Sequence, residues 1–84
     1  MTITTHAIST YMDRAGVEST VQATDELRAI GNCAKLHGVQ ARTKKGRGRN
    51  NTDVVRVLEG CDARGRKWNL FVRGRVLLTA HGPY

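Results

Sequence analysis

The chain has 84 residues, of which 39% are hydrophobic and 25% charged, and its formal net charge is +7 at pH 7. This length fits one small domain, residues 1–84, and excludes a second core. The chain has no apolar run long enough to cross a bilayer, no secretory-signal pattern at its start and only two cysteines, so we expect a cytoplasmic protein with no membrane partner.

The N-terminal segment is rich in threonine and isoleucine. These residue types favour extended backbone, so residues 3–12 are predicted to form a strand. Residues 13–16, which include an aspartate and a glycine, have the composition of a turn. A short helix over residues 9–14 is the alternative interpretation.

Residues 20–37 are predicted to form one amphipathic helix. Ser19 is a favourable N-cap, and Gln22 three positions later completes a capping-box pattern. Gly38 fits the left-handed position that follows many helix ends. Gly31 indicates either a close packing contact or an earlier end of the helix. The apolar stripe, at helical spacing, consists of Leu27, Ile30 and Ala34.

Segments with β-branched residues follow the helix and predict an antiparallel meander. The predicted strands are residues 39–43, 53–60, 67–72 and 76–80, with a flexible basic loop at 43–52 between the first two. The expected fold class is α+β: one amphipathic helix packed on a three- to four-stranded antiparallel meander, with an N-terminal strand as an addition. A winged-helix fold is the alternative, but it requires more helices than the pattern provides.

The positions of the apolar side chains predict the register of the meander. A three-residue connection at 73–75 and a four-residue turn at 62–65 would bring most of them to one face. The face expected to lie under the helix consists of Val55, Val57, Trp68, Leu70, Val72, Val76 and Leu78. The other face is basic, with Arg56 opposite Phe71. Because Val54 and Leu58 fall on this basic face, either it is partly covered or the register of the first hairpin is wrong.

The charge is divided unevenly along the chain. Residues 1–41 hold three basic and four acidic residues, whereas residues 42–84 hold eleven basic and three acidic residues. Three Arg-Gly-Arg tripeptides, at 47–49, 64–66 and 73–75, fall in the second part. Guanidinium groups on glycine-containing turns suit a polyanion, because its phosphates offset their mutual repulsion. The sequence therefore predicts a non-catalytic nucleic-acid-binding protein, for DNA or RNA, that contacts mainly the phosphate backbone.

The predicted contacts lie in the basic loop, in the hairpin turns and on the basic face of the sheet. The phosphate-binding candidates are Arg42, Lys44, Lys45, Arg47, Arg49, Arg56, Arg64, Arg66, Lys67, Arg73 and Arg75. Phe71, on the same face, is the candidate for stacking against a base. Trp68 has the parity of the apolar face and is predicted to lie in the core. Since aromatic residues make up only 5% of the chain, duplex DNA or structured RNA is favoured over a dedicated single-strand platform.

Two other functions fit the same composition. The chain could bind and inhibit a larger protein, such as a component of nucleic-acid machinery, through an acidic surface of that partner. It could instead be a small basic ribonuclease, in which His81, Tyr84 or His6 moves protons. Arg73 and Arg75 would then stabilise the phosphate. The lack of a recognisable catalytic spacing argues against this enzyme, and no catalytic residue is assigned.

A zinc site and a homodimer are two further hypotheses. Cys33 and His37 would share one face of the helix, and Cys61 with His81 could complete a set of four ligands. However, no Cys-x-x-Cys pair occurs and three separate elements would have to converge, so no metal or cofactor is expected. A core of this size yields only about 3–5 kcal/mol, so homodimerisation is a further source of stability to consider.

Overall fold

The computed structural model describes residues 1–44 and 51–84, with side chains at 1–40 and 54–84. In these residues the element order is β1 (Thr2–Ile3), α1 (Thr5–Ala15), α2 (Thr20–Cys33), β2 (Lys35–Lys44), β3 (Asn51–Cys61), β4 (Lys67–Arg73) and β5 (Val76–His81). The strands form one sheet in the order β1-β5-β4-β3-β2, in which β1 runs parallel to β5 and the other pairs are antiparallel. The α+β class is confirmed. The prediction of one helix and three to four antiparallel strands was incomplete, because the described residues form two helices and a five-stranded mixed sheet.

The N-terminal segment forms α1 where its composition predicted a strand. Thr4 caps this helix, because its Oγ1 accepts a 3.1 Å hydrogen bond from the Ala7 amide. Ala7 and Tyr11 are four positions apart, so both lie on the buried side of the helix. The strand predicted for residues 3–12 is wrong outside β1, since capping and helical burial outweigh the β-propensity of threonine. The alternative helix, residues 9–14, lies wholly within α1.

Helix α2 begins as predicted and ends earlier than predicted. Ser19 Oγ accepts a 3.3 Å hydrogen bond from the Gln22 amide, which confirms the N-cap. The helix ends at Cys33, about one turn early, because Lys35 is already paired with β3 in the sheet. Gly38 therefore lies within β2, and its predicted role at the helix end is wrong.

Two glycines allow close packing around α2. A Cβ atom at Gly60 would lie 2.8 Å from both Cγ2 and the carbonyl oxygen of Ile30, and 3.2 Å from Cβ of Ala34. Gly60 therefore lets α2 approach the backbone of β3. A Cβ atom at Gly31 would lie 2.8 Å from Cε of Met1, so Gly31 marks a close contact, as one of its two predicted roles required.

Both helices cover the same side of the sheet, which we call the helix face; the other side is the open face. The Trp68 side chain is fully buried on the helix face, as predicted, and its ring centroid lies 4.7 Å from that of Tyr11. The core consists of Ala7, Tyr11, Ala23, Leu27, Ile30, Trp68, Leu70, Val72, Leu77 and Ala80. Among the described residues, all the helical side chains of this core pack on the helix face.

The β3–β4 turn contains one residue more than the prediction allowed. The Gly65 amide donates a 3.0 Å hydrogen bond to the Asp62 carbonyl. However, Gly65 adopts a φ of 78°, and the Asp62 amide bonds to the carbonyl oxygen of Arg66 at 2.9 Å. Gly65 thus acts as a bulge residue, which its freedom to adopt positive φ permits.

This extra residue reverses the two faces of β3. Val57, and not Arg56, lies opposite Phe71, while Leu58 lies opposite a core residue of β4. A shift of one position moves every side chain of a strand to the other face. The predicted placement of Val55 and Val57 under the helix is therefore wrong: both lie on the open face. Of the two explanations offered for Leu58, the wrong register is the correct one.

The β4–β5 hairpin has a two-residue turn followed by a bulge, where a three-residue connection was predicted. Arg73 pairs directly with Val76, and Leu78 is then an extra residue in β5. Leu77 is fully buried in the core, whereas Val76 and Leu78 are half-buried and belong to the open face. Their predicted placement under the helix is wrong, because Gly74 with a φ of 61° permits the tighter turn.

Candidate nucleic-acid interface

Part of the sheet consists of two strands only. β3 pairs with β4 from Arg56 to Cys61, but with β2 from Asn51 to Glu59. The five positions of β3 before Arg56 therefore pair with β2 alone, and with residues 40–44 they form a ribbon about 17 Å long. Arg42 and Lys44 belong to this ribbon. Three predicted contacts lie outside the described residues, in the segment that joins its strands: Lys45, Arg47 and Arg49.

The net charge of the chain is concentrated in one part of the sequence. We call this part, residues 40–56 and 73–75, the basic end: it comprises the ribbon, the segment joining its strands, and the β4–β5 turn. The basic end holds eight of the 14 basic residues but only one of the seven acidic residues. The rest of the chain has six of each. The whole net charge of +7 therefore belongs to the basic end.

A hydrogen bond joins the base of the ribbon to the β4–β5 turn. Arg56 Nη2 donates to the carbonyl oxygen of Gly74 at 2.9 Å. Arg56, Arg73 and Arg75 are all exposed. This arrangement places the tripeptide at residues 73–75 beside the base of the ribbon.

The Arg-Gly-Arg tripeptide at residues 64–66 lies at the other end of β4 and has a structural role. The Asp62 carboxylate accepts hydrogen bonds from Arg66 Nε at 2.7 Å and from Trp68 Nε1 at 3.0 Å. It also accepts bonds of 2.9 Å from the amides of Arg64 and Arg66. Burial alone would raise the pKa of Asp62, but the hydrogen bonds from Trp68, Arg66 and Arg64 together lower it to about 2. Sequence reasoning missed this site, although an aspartate three positions before a turn glycine is its typical signal.

The cations near this second end face carboxylates. Arg64 and Arg66 line a cleft of about 330 Å³ together with Glu26. Lys67 Nζ lies 3.8 Å from Glu59 Oε1. The structure therefore brings these three predicted contacts together with acidic groups and places them apart from the basic end.

Phe71 lies on the open face and is half-buried. Its ring centroid is 4.9 Å from that of His81, and the two rings are inclined at 54°. The two-residue turn and the bulge at Leu78 together explain this contact, because each moves His81 by one position along β4, to the place opposite Asn69. The predicted register would have placed His81 opposite Lys67, so sequence reasoning missed this pair.

The conceivable zinc ligands are not assembled. Cys33 and His37 do not share a helical face, because α2 ends at Cys33. These two residues line a cavity of about 390 Å³ with Cys61, whereas His81 lies beside Phe71 on the open face. In the part of the chain that the structure describes, no three metal-binding side chains are grouped to hold an ion.

The tail residues considered for a ribonuclease are far from the arginines expected beside them. The Tyr84 amide donates a 2.9 Å hydrogen bond to the carbonyl oxygen of Lys67, at the start of β4, whereas Arg73 ends that strand. His81 ends β5, and Arg75 precedes its first residue. Strands of six and seven residues span about 20 Å, so a single phosphate cannot contact both groups.

Neither described helix is long and apolar enough to cross a membrane. Comparison of the chain with protein-family models, curated proteins and solved structures gave no match. The geometry and charge of the basic end are therefore the ground on which a function is assigned.

Proposed function

We propose that this chain is a small non-catalytic nucleic-acid-binding protein whose basic end contacts the phosphate backbone. The observation that supports this proposal is the location of the whole net charge of +7 in the basic end, while the rest of the chain is balanced. A field of one sign at one end attracts a polyanion and orients it on approach. Phosphates also relieve the repulsion among cations that are held close together.

The shape of the basic end supports the same ligand. A two-stranded ribbon fits the major groove of duplex DNA, which is about 12 Å wide. Arg42 and Lys44 are positions on the ribbon, while the exposed Arg56, Arg73 and Arg75 surround its base. Guanidinium groups donate paired hydrogen bonds to phosphate oxygens, so this arrangement can follow a nucleic-acid backbone.

The proposed contacts are fewer than the sequence predicted. They consist of Arg42, Lys44, Lys45, Arg47, Arg49, Arg56, Arg73 and Arg75. Arg66 and Lys67 are placed outside this set because they would have to leave Asp62 and Glu59 to bind phosphate. Arg64 is placed outside it because it belongs to the balanced end.

A salt titration tests the proposal directly. Binding to labelled duplex DNA, single-stranded DNA and structured RNA would be measured by fluorescence anisotropy at four salt concentrations. Each phosphate neutralised on duplex DNA contributes about −0.9 to the slope of log affinity against log salt, so eight cations set a limit of about −7. We expect a slope steeper than about −3 on duplex DNA. No binding at low salt, or a flat titration, would reject the proposal.

Two variants with equal net charge locate the interface. The first combines Arg42→Gln, Lys44→Gln and Arg75→Gln at the basic end. The second combines Arg28→Gln, Lys35→Gln and Arg64→Gln, which are exposed positions elsewhere. Both lose three positive charges, so a difference between them reports position and not net charge. We expect the first variant to lose most of the affinity and the second to stay within a few-fold; equal losses would remove the basic end as the interface.

An acidic protein partner is the second candidate, and one feature favours it. β2 is the terminal strand of the sheet, so its outer edge is open to a strand added by a partner. Such a partner would form a stoichiometric complex that survives nuclease treatment. The purified chain would then show only weak binding to DNA or RNA, with no difference between the two triple variants.

A further inference from the structure

The open face carries an apolar surface although both described helices lie on the other side. Val57 lies opposite Phe71 at the centre of this face, and Phe71 lies opposite Thr79. Val55 and Val57 are only 9% and 6% exposed. Phe71 is only half-buried above them. The open face therefore presents an aromatic ring on an apolar floor.

A cleft of about 390 Å³ lies beside this ring. It is lined by Gln40, Val55, Phe71, Leu78, Thr79 and His81. The Phe71 and His81 rings, with centroids 4.9 Å apart, form one wall. Gln40 and Thr79 supply an amide and a hydroxyl group. Two aromatic rings with a few hydrogen-bonding groups at the edge are what a flat heteroaromatic ring requires.

The charges around the cleft favour a base that is attached to phosphate. Arg73 follows Phe71 by two positions and so lies on the same face, about 7 Å further along β4. The whole basic end begins at this point of the sheet. Among the described side chains of this face, the Glu59 carboxylate has partners of its own: it lies 3.8 Å from Lys67 Nζ and 3.2 Å from His37 Nδ1. A base in the cleft would therefore have its phosphate near the β4–β5 turn, where Arg73 and Arg75 are exposed.

We propose that the open face binds an unpaired base of a nucleic acid, which stacks on Phe71 beside His81 while its phosphates contact the β4–β5 turn. This inference rests on the proposed function and names its ligand class: strands, loops or junctions with unpaired bases. A base in a duplex is stacked on both sides and cannot enter the cleft without leaving its partner. One stacking site also agrees with the small number of aromatic residues in the chain.

Oligonucleotides with and without bases test the proposal. The probes are labelled oligothymidylate, an abasic oligonucleotide of equal length and phosphate number, oligouridylate, and a duplex. We expect the protein to bind oligothymidylate and oligouridylate more tightly than the abasic strand, since stacking of one base contributes about 5- to 100-fold in affinity. Their salt slopes should be equal, because the base adds no charge.

Substitutions at Phe71 separate stacking from packing. Phe71→Leu keeps an apolar cover over Val57 but lacks the ring, whereas Phe71→Tyr keeps the ring. We expect Phe71→Leu to lower affinity for oligothymidylate about 5- to 100-fold, with unchanged affinity for the abasic strand and the duplex. Phe71→Tyr should retain tight binding. Leu36→Ala, at an apolar side chain that is 61% exposed on β2, is the control and should change none of these affinities.

The outcomes distinguish the two proposals. If the protein binds oligothymidylate and the abasic strand equally, or if Phe71→Leu weakens both equally, the base site is rejected and phosphate binding by the basic end stands. If the protein binds none of the probes at low salt, the proposed function is rejected together with the base site. Tighter binding to oligouridylate than to oligothymidylate would support the site and identify RNA as its ligand.

Discussion

The guanidinium of Arg56 in β3 donates a 2.9 Å hydrogen bond to the carbonyl oxygen of Gly74, at the tip of the next hairpin. This bond connects the base of the ribbon to the β4–β5 turn. The two bonded residues are 18 positions apart in the chain. Arg56 therefore belongs to the proposed interface both as a cation and as the residue that positions its neighbours.

Replacing Arg56 should weaken binding to nucleic acid while leaving the fold intact. We expect Arg56→Ala to lower affinity for duplex DNA about 3- to 10-fold and to reduce the salt slope by about one, because one phosphate contact is lost. The free energy of unfolding should change by less than about 0.5 kcal/mol, since both partners are exposed. Anisotropy titrations and urea denaturation measure the two quantities. Arg28→Ala, an exposed arginine of α2, is the matched control and should leave affinity and slope unchanged.

Asp62 should contribute strongly to stability. Its carboxylate accepts bonds from the Trp68 indole and the Arg66 guanidinium, and its side chain is only 3% exposed. Asp62→Ala would leave these donors without their acceptor, so we expect a loss of about 2–4 kcal/mol in the free energy of unfolding. Asp25→Ala, at an exposed acidic residue of α2, should cost less than about 0.5 kcal/mol. Equal losses in urea denaturation of the two variants would contradict this role for Asp62.

The same carboxylate should make stability depend on acid. Its pKa is lowered in the folded state from 3.8 to about 2, so the folded chain binds fewer protons than the unfolded chain in this range. The contribution is complete above pH 4 and is lost as the pH falls toward 2. We expect the free energy of unfolding to fall more steeply between pH 4 and 2 in the native protein than in Asp62→Asn. Parallel curves for the two proteins would show that Asp62 is not the titrating group.

A methyl group at Gly60 should separate α2 from the sheet. The added Cβ would lie 2.8 Å from the carbonyl oxygen of Ile30, which is backbone and cannot turn away. We expect Gly60→Ala to lower the free energy of unfolding by about 1–3 kcal/mol. At Gly38, in the neighbouring strand, a Cβ would meet nothing within 4 Å, so Gly38→Ala is a matched control. Thermal melting of both variants decides whether the contact or the loss of glycine itself matters.

Tyr11 should make stability depend on alkali. Burial, the hydrogen bond to Glu26 Oε1 at 2.8 Å and the charge of Glu26 all raise the Tyr11 pKa above its ordinary value of 10.0. The unfolded chain therefore loses this proton first, and stability falls as the pH rises above 10. We expect Tyr11→Phe to cost about 1 kcal/mol at pH 7 and to show a shallower decline above pH 10. Tyr84→Phe, at a residue that is 72% exposed, should match the native protein at pH 7.

Local signals predicted part of the fold well. The Ser19 cap and the start of α2 follow from side-chain hydrogen bonding within four residues, which a sequence shows directly. Burial of Trp68 follows from its parity with Leu70 and Val72 within a single strand. Such predictions succeed because each depends on residues that are close together in the chain.

Predictions that depended on counting residues through a turn failed. One additional residue, made possible by Gly65, reversed the faces of β3 and moved Val57 to the open face. In the β4–β5 hairpin, the two-residue turn placed Leu77 in the core and Leu78 outside it. The bulge at Leu78 then returned Ala80 to the face predicted for it. A bulge has a small local cost in free energy. Whether one forms depends on which side chains the two helices bury, so the pattern of residues within one strand does not reveal it.

For the candidate site too, composition was readable from the sequence, whereas contacts made through folded turns and bulges were not. That the positive charge concentrates in the second half was evident from composition. The separation of Arg66 from them depends on Asp62, whose four hydrogen bonds require the folded turn. The proximity of Phe71 and His81 depends on the bulge in β5, which is a property of the assembled sheet.

The position of β2 has a practical consequence for handling the protein. This ten-residue strand ends the described sheet on one side, whereas the strand at the other margin has two residues. A long margin of this kind is where molecules begin to aggregate through intermolecular strand pairing. The net charge of +7 keeps identical chains apart by repulsion. Concentrated samples should therefore remain monodisperse in dilute buffer and precipitate as ionic strength screens that repulsion.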